Sequence, residues 1–318
     1  MKNNQDILKV GLAQMAPIWL DRDKTLEKVC SYVENAASQN CELVVFGEAL
    51  VPGYPFWVGL TDGARFNSQL QKEIFAHYLE QGVHIEAGHL DELCKIAEEK
   101  KIAVVLGTVE RAPDRGGHSM YCTLVYINNV GAITHTHRKL MPTYEERLVW
   151  SIGDGNGLQV QPLKNFTAGV LNCYENWMPL SRAALYGQGE DLHIAIWPGG
   201  IHNTENITRF IAQESRSFVI SVSGIMRKED IPKSIPHADI IKENCPEIMA
   251  SGGSCLAGPD AKWIIEPQAN VEGIFTAEID YARVREERQN FDPAGHYSRP
   301  DVTQLIVNRD RNSILKFK

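Results

Sequence analysis

Short apolar runs alternate with longer amphipathic segments along this chain, and the alternation limits the folds that are open to it. The runs Lys9–Gln14, Cys41–Phe46 and Ile102–Gly107 are rich in β-forming residues. Between the first two, Asp21–Gln39 carries apolar residues at helical spacing behind acidic residues that suit a helix N-terminus. Because the second half repeats this style, as at Leu192–Trp197, the sequence predicts an α/β layered fold.

Length and composition predict one domain. With 318 residues, 43% of them hydrophobic, the chain can bury a sizeable core. No Pro/Ser-rich linker or composition break divides it, so we expect a single domain over 1–318, with a core at about 8–282 and a tail at about 283–318. The apolar runs are too short to cross a bilayer, and the N-terminus has no signal-peptide core. The net charge of −8, without a basic stretch, argues against a nucleic-acid partner.

The cysteines are odd in number and scattered along the chain. None of the seven is in C-x-x-C spacing, which argues against a disulfide framework and offers no zinc-type cluster. This usage suits a reducing compartment. We therefore expect a cytoplasmic protein in which at least one thiol stays unpaired within the monomer.

Cys173 comes directly after an apolar run and before an amphipathic segment. The run Thr167–Leu171 predicts a strand, and Asn176–Gln188 predicts a helix. A thiol at such a turn lies near backbone N–H groups and the positive end of a helix dipole, which stabilise a thiolate and a neighbouring oxyanion. On this segment alone, a buried structural cysteine is the more common alternative.

Glu48 also follows an apolar strand. It precedes a loop of proline, glycine and aromatic residues that includes Tyr54 and Trp57. In α/β sheets, functional side chains gather where strands end. Partial desolvation would raise the pKa of this carboxyl and suit it to act as a general base, although a capping or loop carboxylate is the alternative.

Lys139 lies at the end of a strand in a predicted hairpin. A lysine is a compact cation with three donors, so it can hold a developing negative charge, although most lysines in such places are solvated. The nearby Glu145 and Glu146 are either a surface pair or an electrostatic anchor for the site.

Three rival sites receive little support from the residues. His135 and His137 share a strand face, as a metal ligand pair would, but no third ligand is evident. The glycine-rich stretch Gly153–Gly157 lacks the frame of a nucleotide loop and is interpreted as a turn. A Cys/His nucleophile pair finds no suitable local frame among the ten histidines. A Glu–Lys–Cys set accounts for more of the residues at strand ends.

Three blocks together resemble one known family. Phe46–Pro55, His137–Glu146 and Leu171–Arg182 occur in the order and rough spacing of the nitrilase superfamily of carbon–nitrogen hydrolases. The resemblance extends from the strand Val10–Met15 to the segment Asp292–Asp301. It implies a four-layer α-β-β-α sandwich whose subunits pair across a helix face, so we expect a homo-oligomer, a dimer or larger.

The same resemblance implies a role for each strand-end residue. Cys173 matches the nucleophile, Glu48 the general base and acid, and Lys139 the cation that stabilises tetrahedral intermediates. The additional glutamate of the family matches Glu146, seven residues after the lysine, with Glu145 as the adjacent alternative.

The residues after the cysteine are similar to those of the nitrilase branch. Glu175 and Asn176 stand at the offsets found there, whereas Tyr174 and Gly47 depart from the usual nitrilase residues and leave the substrate range open. The resemblance implies hydrolysis of organic nitriles to carboxylic acid and ammonia through a covalent thioimidate and thioester. The alternatives are an amidase or carbamoylase, a cyanide-hydrolysing enzyme, and a non-catalytic binding member of the fold.

Aromatic residues near the three blocks are expected to line the substrate pocket, which favours apolar or aryl-bearing nitriles. The candidates are Tyr54, Trp57, Trp150, Tyr174 and Trp177. Core packing is an alternative for each of the tryptophans. We expect a small-molecule nitrile and water as partners, with no cofactor, metal or membrane.

Overall fold

A computed structural model describes residues 5–315. Residues 1–4 and 316–318 lie outside the described residues. They include the first part of the N-terminus, which is predicted to lack a signal peptide, and the last part of the predicted tail. In chain order the strands are β1 (Ile7–Gln14), β2 (Leu43–Phe46), β3 (Ala103–Arg111), β4 (Met120–Ile127), β5 (Ile133–Arg138), β6 (Gln161–Leu163), β7 (Phe166–Asn172), β8 (Leu192–Trp197), β9 (Phe218–Ser223), β10 (Ile225–Arg227), β11 (Ile248–Ala257), β12 (Trp263–Ala269) and β13 (Gly273–Asp280).

The strands form two sheets. A six-stranded sheet has the order β13-β1-β2-β3-β4-β5, and a seven-stranded sheet has the order β10-β11-β9-β8-β7-β6 with β12 paired to β11. The strands β1, β2 and β3 are parallel, as are β7, β8 and β9. Parallel strands end at the same edge of a sheet, so the residues that follow them are brought together.

The α-helices occur between the strands along the chain and after the last of them. In chain order they are α1 (Arg22–Ser38), α2 (Trp57–Leu60), α3 (Gln69–Gln81), α4 (Asp91–Lys100), α5 (Pro179–Tyr186), α6 (Ile201–Ser215), α7 (Ala238–Asn244) and α8 (Ala282–Glu287). No helix within residues 5–315 is both long enough and apolar enough to span a membrane.

The two sheets pack face to face over an apolar core. Side chains from both sheets, such as Val10 and Ile194, meet between them and are fully buried. Val33 of α1 and Leu93 of α4 cover the outer face of the first sheet, and Ile207 of α6 covers that of the second. The layer order is therefore α-β-β-α, which confirms the predicted fold class.

The predicted helix Asn176–Gln188 is wrong at its N-terminus. The structure has a 3₁₀ helix at Cys173–Trp177, and α5 begins only at Pro179. Side chains in the 3₁₀ turn bond to nearby backbone groups, which competes with a continuous α-helix. The short elements β6, β10, α2 and α7 are absent from the prediction because each is too brief to show a periodic pattern.

Candidate active site

Glu48 lies where the two sheets approach each other. The strand β2 ends at Phe46, and the backbone N–H of Glu48 donates to the carbonyl oxygen of Trp197, the last residue of β8, at 3.1 Å. On β3, a Cβ added at Gly107 would lie 2.1 Å from the carbonyl oxygen of Gly47, so this close approach requires glycine. The loop carries the Glu48 side chain into the interior, where the residue is 2% exposed.

Lys139 joins two buried carboxylates. It follows β5, and its backbone N–H donates to the carbonyl oxygen of Cys122 on β4 at 2.8 Å. Its Nζ lies 2.8 Å from Glu48 Oε1 and 2.7 Å from Glu146 Oε2. Burial alone would lower the pKa of Lys139, but the adjacent acidic groups, Glu48 foremost, raise it well above its usual value. Lys139 is therefore a fixed cation at neutral pH.

Glu146, and not Glu145, is the glutamate that reaches the lysine. Its Oε2 also accepts a hydrogen bond from the backbone N–H of Thr143 at 2.6 Å, and its Oε1 accepts one from the hydroxyl of Tyr54 at 2.8 Å. Glu145 is half-buried on the outer side of the same turn. These donors and Lys139 fix the position of the Glu146 carboxylate in the interior.

Cys173 occupies a constrained turn after β7. Its φ of 47° lies in the left-handed region, which is uncommon for a residue with a side chain. It begins a 3₁₀ helix, and one reactive atom each of Cys173, Glu48 and Glu146 lie within 4.8 Å of one another. We call Glu48, Lys139, Glu146 and Cys173 the Glu48 cluster. Strain at a turn that brings a thiol to such a cluster is typical of a functional site.

Burial dominates the protonation of Glu48 and Cys173. Burial raises the pKa of Glu48 to about 7, with Lys139 opposing the rise and Glu146 adding to it. Burial also raises the pKa of the Cys173 thiol well above its usual value, and the charge of Glu48 adds to that rise. Cys173 is thus protonated at neutral pH, and a base must remove its proton before the sulfur can attack.

The three acidic groups of the cluster could in principle surround a metal ion. However, the ammonium group of Lys139 already lies within 2.8 Å of both carboxylates and supplies the positive charge there. A divalent cation would have to displace it and meet its repulsion. The expectation of a metal-free site therefore stays a prediction, with this arrangement in its favour.

Glu175 connects the segments that carry Cys173 and Lys139. Its two carboxylate oxygens accept hydrogen bonds from the backbone N–H groups of Leu140 (2.6 Å) and Asn172 (2.9 Å), and both lie within 3.0 Å of His137 Nε2. Burial would raise the pKa of Glu175, but His137 and these N–H groups hold it below its usual value. From the sequence, Glu175 is expected only to mark the nitrilase branch, with no structural role assigned to it. Its three-residue spacing from Asn172, that of a capping box, is the signal that points to a structural role.

Asn176 holds the cysteine turn from the other side. Its Nδ2 donates to the carbonyl oxygen of Cys173 at 2.8 Å, and its Oδ1 lies 2.8 Å from His193 Nε2. The other ring nitrogen of His193 lies 2.9 Å from Glu190 Oε1. This buried chain of side chains fixes the backbone of the turn, and no local pattern in the sequence predicts it.

The aromatic candidates are divided among three environments. Tyr54 bonds to Glu146, and the ring of Trp150 lies 5.7 Å from Lys139 Nζ, so both reach the Glu48 cluster. Trp57 is 1% exposed and packs in the hydrophobic core against Tyr78, with ring centroids 6.0 Å apart. Its contact with substrate also stays a prediction. The remaining candidates, Tyr174 and Trp177, are about half exposed, and their contact with substrate stays a prediction.

Comparison with known proteins agrees with the geometry. The carbon–nitrogen hydrolase family matches residues 9–289. The chain is 33% identical to "Nitrilase 2" from an unknown prokaryotic organism, over 97% of this chain and 95% of that protein. It is 31% identical to an aliphatic nitrilase of Sinorhizobium fredii (strain HH103), over 96% of this chain and 97% of the relative.

Solved structures share the fold at low sequence identity. A carbon–nitrogen hydrolase from Helicobacter pylori G27 superposes with a TM-score of 0.64 and 19% identity, over 93% of this chain and 96% of the other. The family match covers most of the chain, including the three sequence blocks that carry the residues of the Glu48 cluster. The chain belongs to the carbon–nitrogen hydrolase family, in the nitrilase superfamily, and is a hydrolase that acts on carbon–nitrogen bonds.

Proposed function

We propose that this protein is a nitrilase that hydrolyses organic nitriles to carboxylic acid and ammonia, with Cys173 as the nucleophile. The observation that carries the proposal is a buried group of one thiol and two carboxylates, whose reactive atoms lie within 4.8 Å of one another, with an ammonium group that contacts both carboxylates. Such an arrangement supplies a nucleophile, a base and a cation at one point, which are the parts that covalent hydrolysis of a C–N bond needs.

Glu48 is the base in this proposal, and its two oxygens have different surroundings. Oε1 lies 2.8 Å from the ammonium of Lys139, whereas Oε2 is buried without a hydrogen-bond partner among the described residues. Oε2 is therefore the oxygen that is free to take the Cys173 proton. The sulfur then bonds to the nitrile carbon, the nitrile nitrogen takes the proton, and a thioimidate forms.

Water completes the reaction in two steps. The first water adds to the thioimidate, and the resulting tetrahedral intermediate expels ammonia to leave a thioester. A second water displaces the thiol and releases the carboxylic acid, so each nitrile consumes two waters. If the tetrahedral intermediate expels the thiol instead, an amide is the product. Lys139 and the backbone N–H of Tyr174, which lies beside the Cys173 sulfur, stabilise the anionic intermediates.

The nitrile preference rests on the relatives. Both relatives described above are named nitrilases and are more than 30% identical to this chain over nearly their full length. The residues after Cys173 point the same way, since Glu175 and Asn176 stand at the offsets of the nitrilase branch. Amidase, carbamoylase and cyanide-hydrolysing activities would use the same cluster, so they are outcomes of the test below.

We expect ammonia release from nitriles in a screen of matched nitrile and amide substrates, with the acid as the main product. Aliphatic, arylacetonitrile and aromatic nitriles are compared with the corresponding amides, and cyanide is included. Faster hydrolysis of amides than of the matched nitriles would contradict the nitrilase assignment. A thiol-directed mechanism-based label that gives no adduct on Cys173 would favour a non-catalytic member of the fold.

The rate is expected to depend on the ionisation of Glu48. Below its pKa of about 7 the carboxyl carries a proton and cannot accept the one from Cys173, so kcat/KM falls as the pH is lowered. In a plot of kcat/KM against pH, we expect an acid limb with its midpoint near pH 7, below which kcat/KM falls about tenfold per pH unit. Initial rates at low substrate between pH 5 and 9 measure it, with the melting temperature followed over the same range. A flat profile from pH 5.5 to 8 would contradict the role of Glu48.

A further inference from the structure

Cys122 is a second buried thiol beside the Glu48 cluster, and the proposed reaction leaves it unused. It lies on β4, and its Sγ is 3.5 Å from Oε1 of Glu48. The same sulfur is 4.0 Å from Oδ1 of Asn172, the residue before Cys173. Its carbonyl oxygen accepts the N–H of Lys139 at 2.8 Å. Cys122 therefore contacts all three segments that carry the base, the cation and the nucleophile.

The thiol of Cys122 stays protonated at neutral pH. Burial raises its pKa well above the usual value for a thiol, and the negative charge of Glu48 adds to the rise. A thiol has one proton to donate, and the acceptors within reach are the carboxylate of Glu48 and the amide oxygen of Asn172. The carboxylate is nearer and charged, so the S–H donates to Oε1 of Glu48.

We propose that Cys122 is a positioning residue for Glu48, whose S–H holds Oε1, leaves Oε2 free for the Cys173 proton, and favours the ionised carboxylate. The inference rests on the proposed function, in which Glu48 is the base. A hydrogen bond to the charged form of an acid stabilises that form. Without this donor, Lys139 alone would hold the carboxylate against the cost of its burial.

Several other groups face Glu48 and influence its ionisation. Lys139 lowers the pKa of Glu48, and Glu146 raises it. The charged and titratable groups that interact electrostatically with Glu48 are Lys139, Glu146, Cys122, Cys173, Tyr54 and Tyr78. Substitutions at Cys122 change a single hydrogen-bond donor and leave the other groups in place. A shift in the pH profile of kcat/KM can therefore be assigned to that donor.

Two substitutions at Cys122 are expected to move the pH profile in opposite directions. Cys122→Ala removes the donor, so the acid limb of kcat/KM should move up by about half a pH unit, with about threefold lower activity at pH 6. Cys122→Ser supplies a stronger donor of similar size and should move the limb down by about half a unit. The profiles are measured from pH 5 to 9 on the best nitrile substrate, with melting temperatures alongside.

Cys255 offers a matched control. It is also fully buried, but its sulfur bonds to Thr208, on α6. Cys255→Ala and Cys255→Ser should therefore leave the acid limb where it is in the wild type. If both Cys122 variants keep the wild-type limb, or if both shift it in the same direction, the positioning role is overturned. If Cys122→Ala fails to fold, the near-isosteric Cys122→Ser carries the test alone.

A second readout separates this inference from the proposed function. The rate at which iodoacetamide alkylates Cys173, followed by peptide mass spectrometry, depends on removal of its proton and needs no substrate. If the wild type hydrolyses no nitrile, the proposed function fails, and the alkylation profile then decides the inference. Opposite shifts for the two Cys122 variants would support the positioning role, and unchanged profiles would overturn it.

Discussion

Replacing Cys173 by alanine is expected to abolish ammonia release from nitriles, with a loss in kcat on the order of 10⁴ or more. The sulfur forms the bond that divides the hydrolysis into two easier steps, and no neighbouring group of the Glu48 cluster can replace it: the carboxylates are held by Lys139 and by donors of their own. Ammonia and acid are measured with purified protein at the plateau of the pH profile.

The control for this variant is a cysteine of the same kind elsewhere in the fold. Cys255→Ala removes an equally buried thiol and should retain nearly wild-type turnover. Wild-type enzyme quenched during turnover should carry an acyl adduct on the peptide that contains Cys173, and Cys173→Ala should carry none. Near-wild-type ammonia release by Cys173→Ala would rule out the covalent mechanism.

The position of the cluster could be predicted from the sequence because three of its four members follow strands. Glu48, Lys139 and Cys173 come after β2, β5 and β7, and apolar runs make these strands visible as a pattern. The ends of neighbouring strands meet at one edge of each sheet, so these residues could be expected to converge. Their contact across the two sheets, as where Glu48 bonds to Trp197, depends on sheet packing that no local pattern contains.

The supporting residues could not be predicted in the same way. Glu175 and Asn176 each bond to the local turn and also to a histidine that is distant in sequence, and these distant hydrogen bonds leave no periodic signal. The burial of an aromatic side chain depends on which neighbour covers it. Thus Trp57 packs in the core while Tyr174 is about half exposed, although Trp57 lies directly after one of the blocks that resemble a nitrilase and Tyr174 lies in another.

Replacing Lys139 by alanine is expected to lower kcat by about 10²- to 10³-fold, the effect of losing one oxyanion donor, or about 3–4 kcal/mol of transition-state stabilisation. It also leaves the carboxylates of Glu48 and Glu146 buried without their cation, which costs about 3–5 kcal/mol of folding stability. Turnover on the best nitrile and unfolding in urea are measured at pH 6 and pH 8.

The pH dependence of the stability distinguishes loss of the cation from loss of packing. Lys139 lowers the pKa of Glu48, so its removal places that folded-state pKa further above the unfolded value. In the wild type, the raised pKa of Glu48 destabilises the fold increasingly as the pH rises from the unfolded-state value to about 7, and little further above it. In Lys139→Ala the loss continues to a higher pH, so the deficit of this variant should be larger at pH 8 than at pH 6. Lys139→Met, which keeps the side-chain bulk, should show the same loss of kcat and the same trend.

A lysine outside the cluster provides the matched comparison. Lys100 is partly exposed and forms a surface ion pair with Glu34, at 3.8 Å, so Lys100→Ala should change neither kcat nor the pH dependence of stability. Full kcat in Lys139→Ala would rule out its role in holding the anionic intermediates. A stability deficit that is equal at pH 6 and pH 8 would instead mean that Lys139 acts by filling space, because only the charge of the ammonium group couples folding to the protonation of Glu48.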